Sequence, residues 1–303
     1  MPYQLRADET VQDGVRRCAR EELDHAVGEL TTGVHTDPVE AVHAARKDLK
    51  KARSLLRLTR AAIDRDQRRR ENKALRDAGR ALSASRDAEV MLQALDNLAD
   101  RFAGQVAQTT FEPIRRHLEA ERDTARQGMI ASGLPGQTAD ELKSVRARID
   151  EWPIRRGGWK ALEPGLLRSY RRGCKALATA QSEPTVEALH EWRKRSKDLW
   201  YHLRILEPLS PGIVGGQAEE AHTLSDLLGD DHDLAILRDT LGSSGGRLAV
   251  DLDAVTQLID RRREQLQAEA FRVGARLYAE SPKAFGRRLH GYWKVWRPAA
   301  ALT

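Results

Sequence analysis

Only two cysteines, Cys18 and Cys174, occur in 303 residues. That excludes a disulfide framework, and both sit in helical patterns near an arginine pair, where buried thiols are expected. Aromatic residues make up 5% of the chain, whereas proteins that grip single-stranded nucleic acid interleave exposed aromatics with cations so that bases can stack. Long apolar runs are missing as well. No stretch approaches the ~18 residues that cross a bilayer, and the N-terminal MPYQLRADET lacks the apolar centre of a signal peptide. A cytoplasmic protein with no membrane partner is expected. Equally absent are a nucleophile elbow, a phosphate-cradling glycine loop and a recognisable general acid–base pair, so the expectation is binding chemistry, no enzyme and no cofactor.

What the chain does have is helix-forming sequence. Ala, Leu, Arg and Glu dominate long segments with a 3.6-residue period, and β-branched residues are too sparse for strands. The pattern predicts helices near 8–31, 38–62, 64–84, 87–103, 111–131, 139–149, 160–180, 185–208, 216–229, 232–242, 250–280 and 282–297. Asp37-Pro38 and Glu183-Pro184 look like caps followed by a first-turn proline, and LSPGIVGG (209–216) and LGSSGG (241–246) read as loops. EWPIRRGG (151–158) interrupts the pattern near the middle, dividing the chain into halves 1–150 and 151–303.

Charge is unevenly distributed. The formal net charge is +6, yet positions 155–204 alone carry twelve Lys or Arg against five Asp or Glu, an excess of +7. Within that region, LHEWRKRSKDLWYHLRIL (189–206) winds His190, Arg193, Lys194, Lys197, Tyr201 and Arg204 onto one helical face, with Trp192, Leu199, Leu203 and Leu206 opposite. A second stripe lies on 38–62, where His43, Arg46, Lys47, Lys50, Lys51, Arg53 and Arg57 oppose Val42, Ala45, Leu49, Ala52 and Leu56. A face that merely meets water usually mixes signs, because like charges one turn apart repel by a few tenths of a kcal/mol. Two acid-poor stripes therefore point to an anionic ligand.

The stripes correspond in sequence. His43, Arg46, Lys47, Lys50 and Arg57 fall on His190, Arg193, Lys194, Lys197 and Arg204 without a gap, and Arg86-Asp87 falls on His232-Asp233 further along. A duplicated helical unit is expected. Cations spaced at i, i+3, i+4, i+7 and i+14 cover about 20 Å of helix at ~1.5 Å per residue, so the ligand should be long or multiply phosphorylated. Arg grips phosphate oxygens in pairs while Lys supplies a mobile charge, a mixture suited to a flexible polymer without bases. His43, His190 and the acids of GDDHD (229–233) raise metal binding as an alternative. Cations crowd those histidines, however, and the aspartates sit where one predicted helix ends at Gly229 and the next begins, so capping is expected and no metal ligand is assigned.

VHAARKDLKKARSLLRL and LHEWRKRSKDLWYHLRIL, each a His followed by R-K-x-x-K, resemble the two signature helices of the CHAD family, the conserved histidine α-helical domain. GLLRSYRRGCKAL (165–177) and the ending FGRRLHGYWKVW extend the likeness over nearly all of the chain. The resemblance implies one all-α CHAD domain over 1–303, built as two pseudo-symmetric antiparallel four-helix bundles around a central basic groove or pore. It implies non-catalytic binding of inorganic polyphosphate, with association to polyphosphate granules and their proteins. Carried over by position, it assigns ligand contacts to His43, Arg46, Lys47, Lys50, Arg53 and Arg57, and to His190, Arg193, Lys194, Lys197, Tyr201 and Arg204. Arg17, Arg171 and Arg172 are added from the preceding helix of each half. Asp198 and Trp200 depart from the family's preference for bases at those positions. A general nucleic-acid or polyanion binder and a metal-dependent phosphohydrolase are the alternatives.

Overall fold

Helix-forming composition is realised throughout the computed structural model, which describes residues 3–243 and 252–297. Among them run eleven α-helices: α1 (Val11–Thr31), α2 (Pro38–Leu58), α3 (Arg65–Ala81), α4 (Ala84–Arg101), α5 (Glu112–Ala131), α6 (Leu134–Ala147), α7 (Trp159–Ser182), α8 (Val186–Leu206), α9 (Gly216–Ser243), α10 (Leu252–Leu277) and α11 (Pro282–Trp296). No helix among the described residues is long and apolar enough to cross a membrane. Positions 244–246 of the expected LGSSGG loop and the start of the helix expected from 250 lie outside the described residues, as do the side chains of Arg86 and Asp87.

Local chemistry explains most boundaries and corrects several. The Asp37 carboxylate accepts from the Val39 and Glu40 amides, capping α2 as expected. Glu183-Pro184 does not repeat this: Thr185 caps α8 by accepting from the Ala188 amide, and Glu183 closes α7 instead. The 209–216 loop is largely helical turn, with a 3₁₀ turn at Glu207–Leu209 and a wide turn at Pro211–Gly215 that runs into α9. The break expected at 229–232 does not exist. α9 continues through it, and Asp231, rather than capping, is buried and accepts from Arg263 Nε at 3.1 Å and Gln267 Nε2 at 2.7 Å on α10. A buried carboxylate paired across helices stabilises more than a cap that no terminus needs.

Two cores hold the helices, and neither follows the expected division at 151–158. The larger joins α1, α2, α3 and α6 to α7, α8, α11 and the near halves of α9 and α10, through Leu23, Leu49, Leu55, Trp152, Tyr170, Trp192 and Leu203 among others. The smaller joins α4 and α5 to the far halves of α9 and α10, through Leu95, Phe111, Ile114, Leu237 and Ile259. Each half thus contributes to both cores. The segment 151–158 is tied to the end of α2, where Ile154 bridges to Ile63 and the Arg155 amide donates to the Ala62 carbonyl at 2.8 Å. α7 then approaches α2 so closely that Gly165 lies against the Leu58 carbonyl. This crossing brings the two striped helices, α2 and α8, into one neighbourhood with α7.

Candidate anion-binding site

The apolar sides of both stripes are buried as their period requires: Val42, Ala45, Leu49, Ala52 and Leu56 on α2, and Trp192, Leu199, Leu203 and Leu206 on α8. Their cationic sides therefore point away from that core, with Lys47, Lys50 and Lys194 exposed. One cavity of about 470 Å³ is lined by Lys50, Arg53 and Arg57 from α2, Arg60 just beyond it, Arg68 and Asn72 from α3, Arg168 and Arg172 from α7, and Lys194, Arg195, Lys197, Asp198 and Tyr201 from α8. Ten cationic side chains thus meet one carboxylate.

A second cavity, of about 590 Å³, is lined by His43, Arg46 and Lys50 from α2, His190, Arg193 and Lys197 from α8, and His232 and Asp233 from α9, with Glu121 from α5. Lys50 and Lys197 line both cavities, so the two adjoin. A third space of about 80 Å³ is lined by Lys47, Lys51, Tyr201 and Arg204. Tyr201 also lines the first, although it is only 4% exposed.

Of the fifteen sequence-assigned contacts, Lys47 and Arg204 line only the small space, and two fall elsewhere. Arg171 lies beside Arg287 and Pro282, in a separate hollow between α7 and α11. Arg17 donates to both Glu9 oxygens at 2.6 and 2.9 Å and to the Gln4 carbonyl at 2.8 Å, with Glu21 at 3.1 Å, so its charge is spent holding the N-terminal segment. Lys51 likewise leaves the stripe to bind Glu22 at 2.6 Å and Asp48 at 3.0 Å between α1 and α2. In exchange, the structure adds Arg60, Arg68, Arg168 and Arg195. Arg168 was within reach of the sequence, because it stands one turn before Arg172 on the same helix. Arg68 was hidden in the run RDQRRR, which gives no hint of which arginine turns inward.

The electrostatics of the first cavity are those of crowded cations. Burial and the neighbouring Arg57 push Arg53 down to about 10. Burial lowers Arg60 too, aided by Arg168, Arg68 and Arg172, and it lowers Arg68, aided by Arg69, Arg65 and Arg168. The Arg68 Nε is buried without a hydrogen-bond partner. Asp198 offers partial compensation, reaching Arg57 at 2.9 Å and Arg195 at 3.0 Å. Glu191 adds more at the rim, at 2.7 Å from Arg195, 3.1 Å from Lys194 and 3.3 Å from Arg172.

In the second cavity the His190 and His232 rings lie 4.0 Å apart between centroids. Burial lowers His190 to about 4, with His232, Lys194 and Arg193 adding to the shift, and burial then Arg193 and Lys194 lower His232. Both imidazoles are neutral at pH 7. Among the described residues no group of three or more His, Cys, Asp or Glu could hold a metal ion.

Comparison with known proteins places these observations. Residues 17–242 match the CHAD domain. Two uncharacterised proteins of Mycobacterium tuberculosis, MT2285 and Rv2226, are each 26% identical to this chain over 281 residues, covering 84% of it and 52% of the relative. The chain therefore spans about half the length of those curated relatives. Among solved structures, PptA from Streptomyces chartreusis matches with a TM-score of 0.64 at 18% identity, covering 90% of this chain and 100% of that one. The CHAD domain from the plant Ricinus communis matches at 0.52 and 16% identity, covering 95% and 94%. At such identities the likeness is one of fold. With two striped helices, an all-helical fold shared with a CHAD domain, and a sequence match across most of its length, the chain belongs to the CHAD-domain family.

Proposed function

We propose that this protein binds inorganic polyphosphate, without acting chemically on it, in the adjoining cavities between α2 and α8. The observation that carries the proposal is the convergence of Arg53, Arg60, Arg68, Arg168 and Arg172 on one cavity, where burial and neighbouring cations lower the basicity of Arg53, Arg60, Arg68 and Arg172. Like charges held together out of water are unfavourable unless an anion joins them. Lys50 and Lys197, shared by both cavities, offer a continuous track past the His190–His232 pair. A polymer of phosphates fits a track that runs through both cavities, and polyphosphate binding is a known property of the family.

Nucleic acid fits less well, because the aromatic beside the track, Tyr201, is buried together with Trp200 and offers no open ring for a base. The parallel order of α1–α2 and α7–α8, with α6 packing on α1 and α11 on α7, supports reading the halves as a duplicated unit with the cavities at their junction. In a cell the protein would sit in the cytoplasm on polyphosphate granules and meet their proteins there.

The test is a titration of labelled polyphosphate across a salt series, using the native chain and the Arg193→Glu, Lys197→Glu double variant. Affinity of the native protein should fall steeply with salt, as counterion release demands. The double variant should lose binding while keeping its helical circular dichroism. Binding that ignores salt, or a double variant that binds as well as the native chain, would overturn the assignment.

A further inference from the structure

Gly229 occupies a position where a glycine needs a reason. It lies buried in the middle of α9, a helix of 28 residues, where glycine is the poorest ordinary helix former and its conformational freedom is of no use. The reason is space. A Cβ at 229 would stand 2.9 Å from Nη2, 3.2 Å from Cζ and 3.3 Å from Nε of Arg193, so the guanidinium lies flat against the bare helix. Three other buried helical glycines make room for the body of the protein, Gly165 for the Leu58 carbonyl, Gly173 for the Tyr278 ring and Gly274 for Trp192, and Gly14 makes room for the Glu9 carboxylate. Gly229 makes room for a cation that lines a cavity.

Arg193 is central to that cavity. Its Nη1 stands 3.8 Å from Asp233 Oδ1, and its charge contributes to lowering His190, His232 and Lys197, which places it among all three. Resting on the polyphosphate assignment above, we propose that Gly229 is a positioning residue: the missing side chain on α9 seats the Arg193 guanidinium beside Asp233 and the paired imidazoles, where it can receive a phosphate. Asp233 then acts as a placeholder. At 3.8 Å its carboxylate is too distant for a hydrogen bond, so an arriving phosphate meets a guanidinium already oriented but not consumed.

The experiment compares the native chain with Gly229→Ala, Arg193→Ala and the double variant, measuring melting midpoint and polyphosphate affinity across a salt series. The clash in Gly229→Ala involves the mobile end of one side chain, and alanine favours the helix, so the melting midpoint should stay or rise. Affinity should nevertheless weaken about tenfold, the effect of losing one charged contact. The slope of log K against log salt should shrink by about one phosphate contact. In the Arg193→Ala background, Gly229→Ala should change affinity no further, since the two act through one group.

Unchanged affinity in Gly229→Ala, or an equal loss with and without Arg193, would overturn the proposal while leaving polyphosphate as the ligand. A sharply lowered midpoint would overturn it too, by showing that the bare helix serves packing. If the native chain itself bound no polyphosphate, the ligand assignment and this proposal would fall together.

Discussion

Replacing Gly165 with alanine tests the crossing on which the first cavity depends. A Cβ at 165 would lie 1.9 Å from the Leu58 carbonyl oxygen, 2.5 Å from its carbon and 2.7 Å from the Arg57 carbonyl oxygen. Ordinary contact begins near 3.4 Å, so α7 would have to withdraw from the end of α2 by about 1.5 Å. Backbone cannot swing aside as a side chain can. Overpacking of this kind costs about 3 kcal/mol, the upper end of the usual range, which outweighs the ~1 kcal/mol that alanine contributes to a helix. At about 2–4 °C per kcal/mol for a chain of this size, the melting midpoint should fall by roughly 4–8 °C once that gain is deducted. Arg168 and Arg172 ride on α7, so the same movement should draw them from Lys50, Arg53 and Arg57 and weaken polyphosphate binding. Urea unfolding and a thermal scan measure the first effect, and a titration measures the second. A Gly165→Ala protein as stable as the native one would show that α7 and α2 do not meet as described.

Two further outcomes follow from named groups. Arg17→Ala removes the guanidinium from Glu9 and the Gln4 carbonyl, leaving them only the Arg6 amide and the Cys18 thiol as donors, and should destabilise the fold by about 2 kcal/mol, while polyphosphate affinity stays unchanged; a loss of affinity without destabilisation would return Arg17 to the site. Stability should also fall as pH drops from about 6.5 toward 4. Burial holds His202 at about 4, and burial with His232 and nearby cations holds His190 there, so below 6.5 the unfolded chain takes up protons that the folded chain refuses. The sign is therefore stability rising with pH across that window, and His202→Gln should flatten part of the slope in urea unfolding at pH 5 and 7.

The helical class and both stripes were legible because their period is local: Leu49 and Leu203 are buried at the spacing that leaves Lys50 exposed and Arg204 half-buried. Asp37 was legible for the same reason, since a cap acts within three residues. The continuity of α9 was not. Gly229 and the aspartates after it carry the local signature of a helix end, and what overrides it is distant: Arg193 needs the bare position, and Arg263 and Gln267 need Asp231. Arg17, assigned by analogy with the other half, pairs with Glu9 and lines neither cavity, and nothing in RRCAREE tells that Glu9 folds back upon it. Arg60 and Arg68 escaped notice since their convergence on Arg168 depends on the α2–α7 crossing, a tertiary fact.

The most direct measurement of the central claim is a competition at physiological salt, with labelled long-chain polyphosphate bound to the protein and displaced by unlabelled polyphosphate or by single-stranded DNA of equal charge. A cavity that crowds guanidiniums and hides its aromatics should release the label to polyphosphate alone. Equal displacement by DNA would contradict it, and would make the stripes a general anion surface.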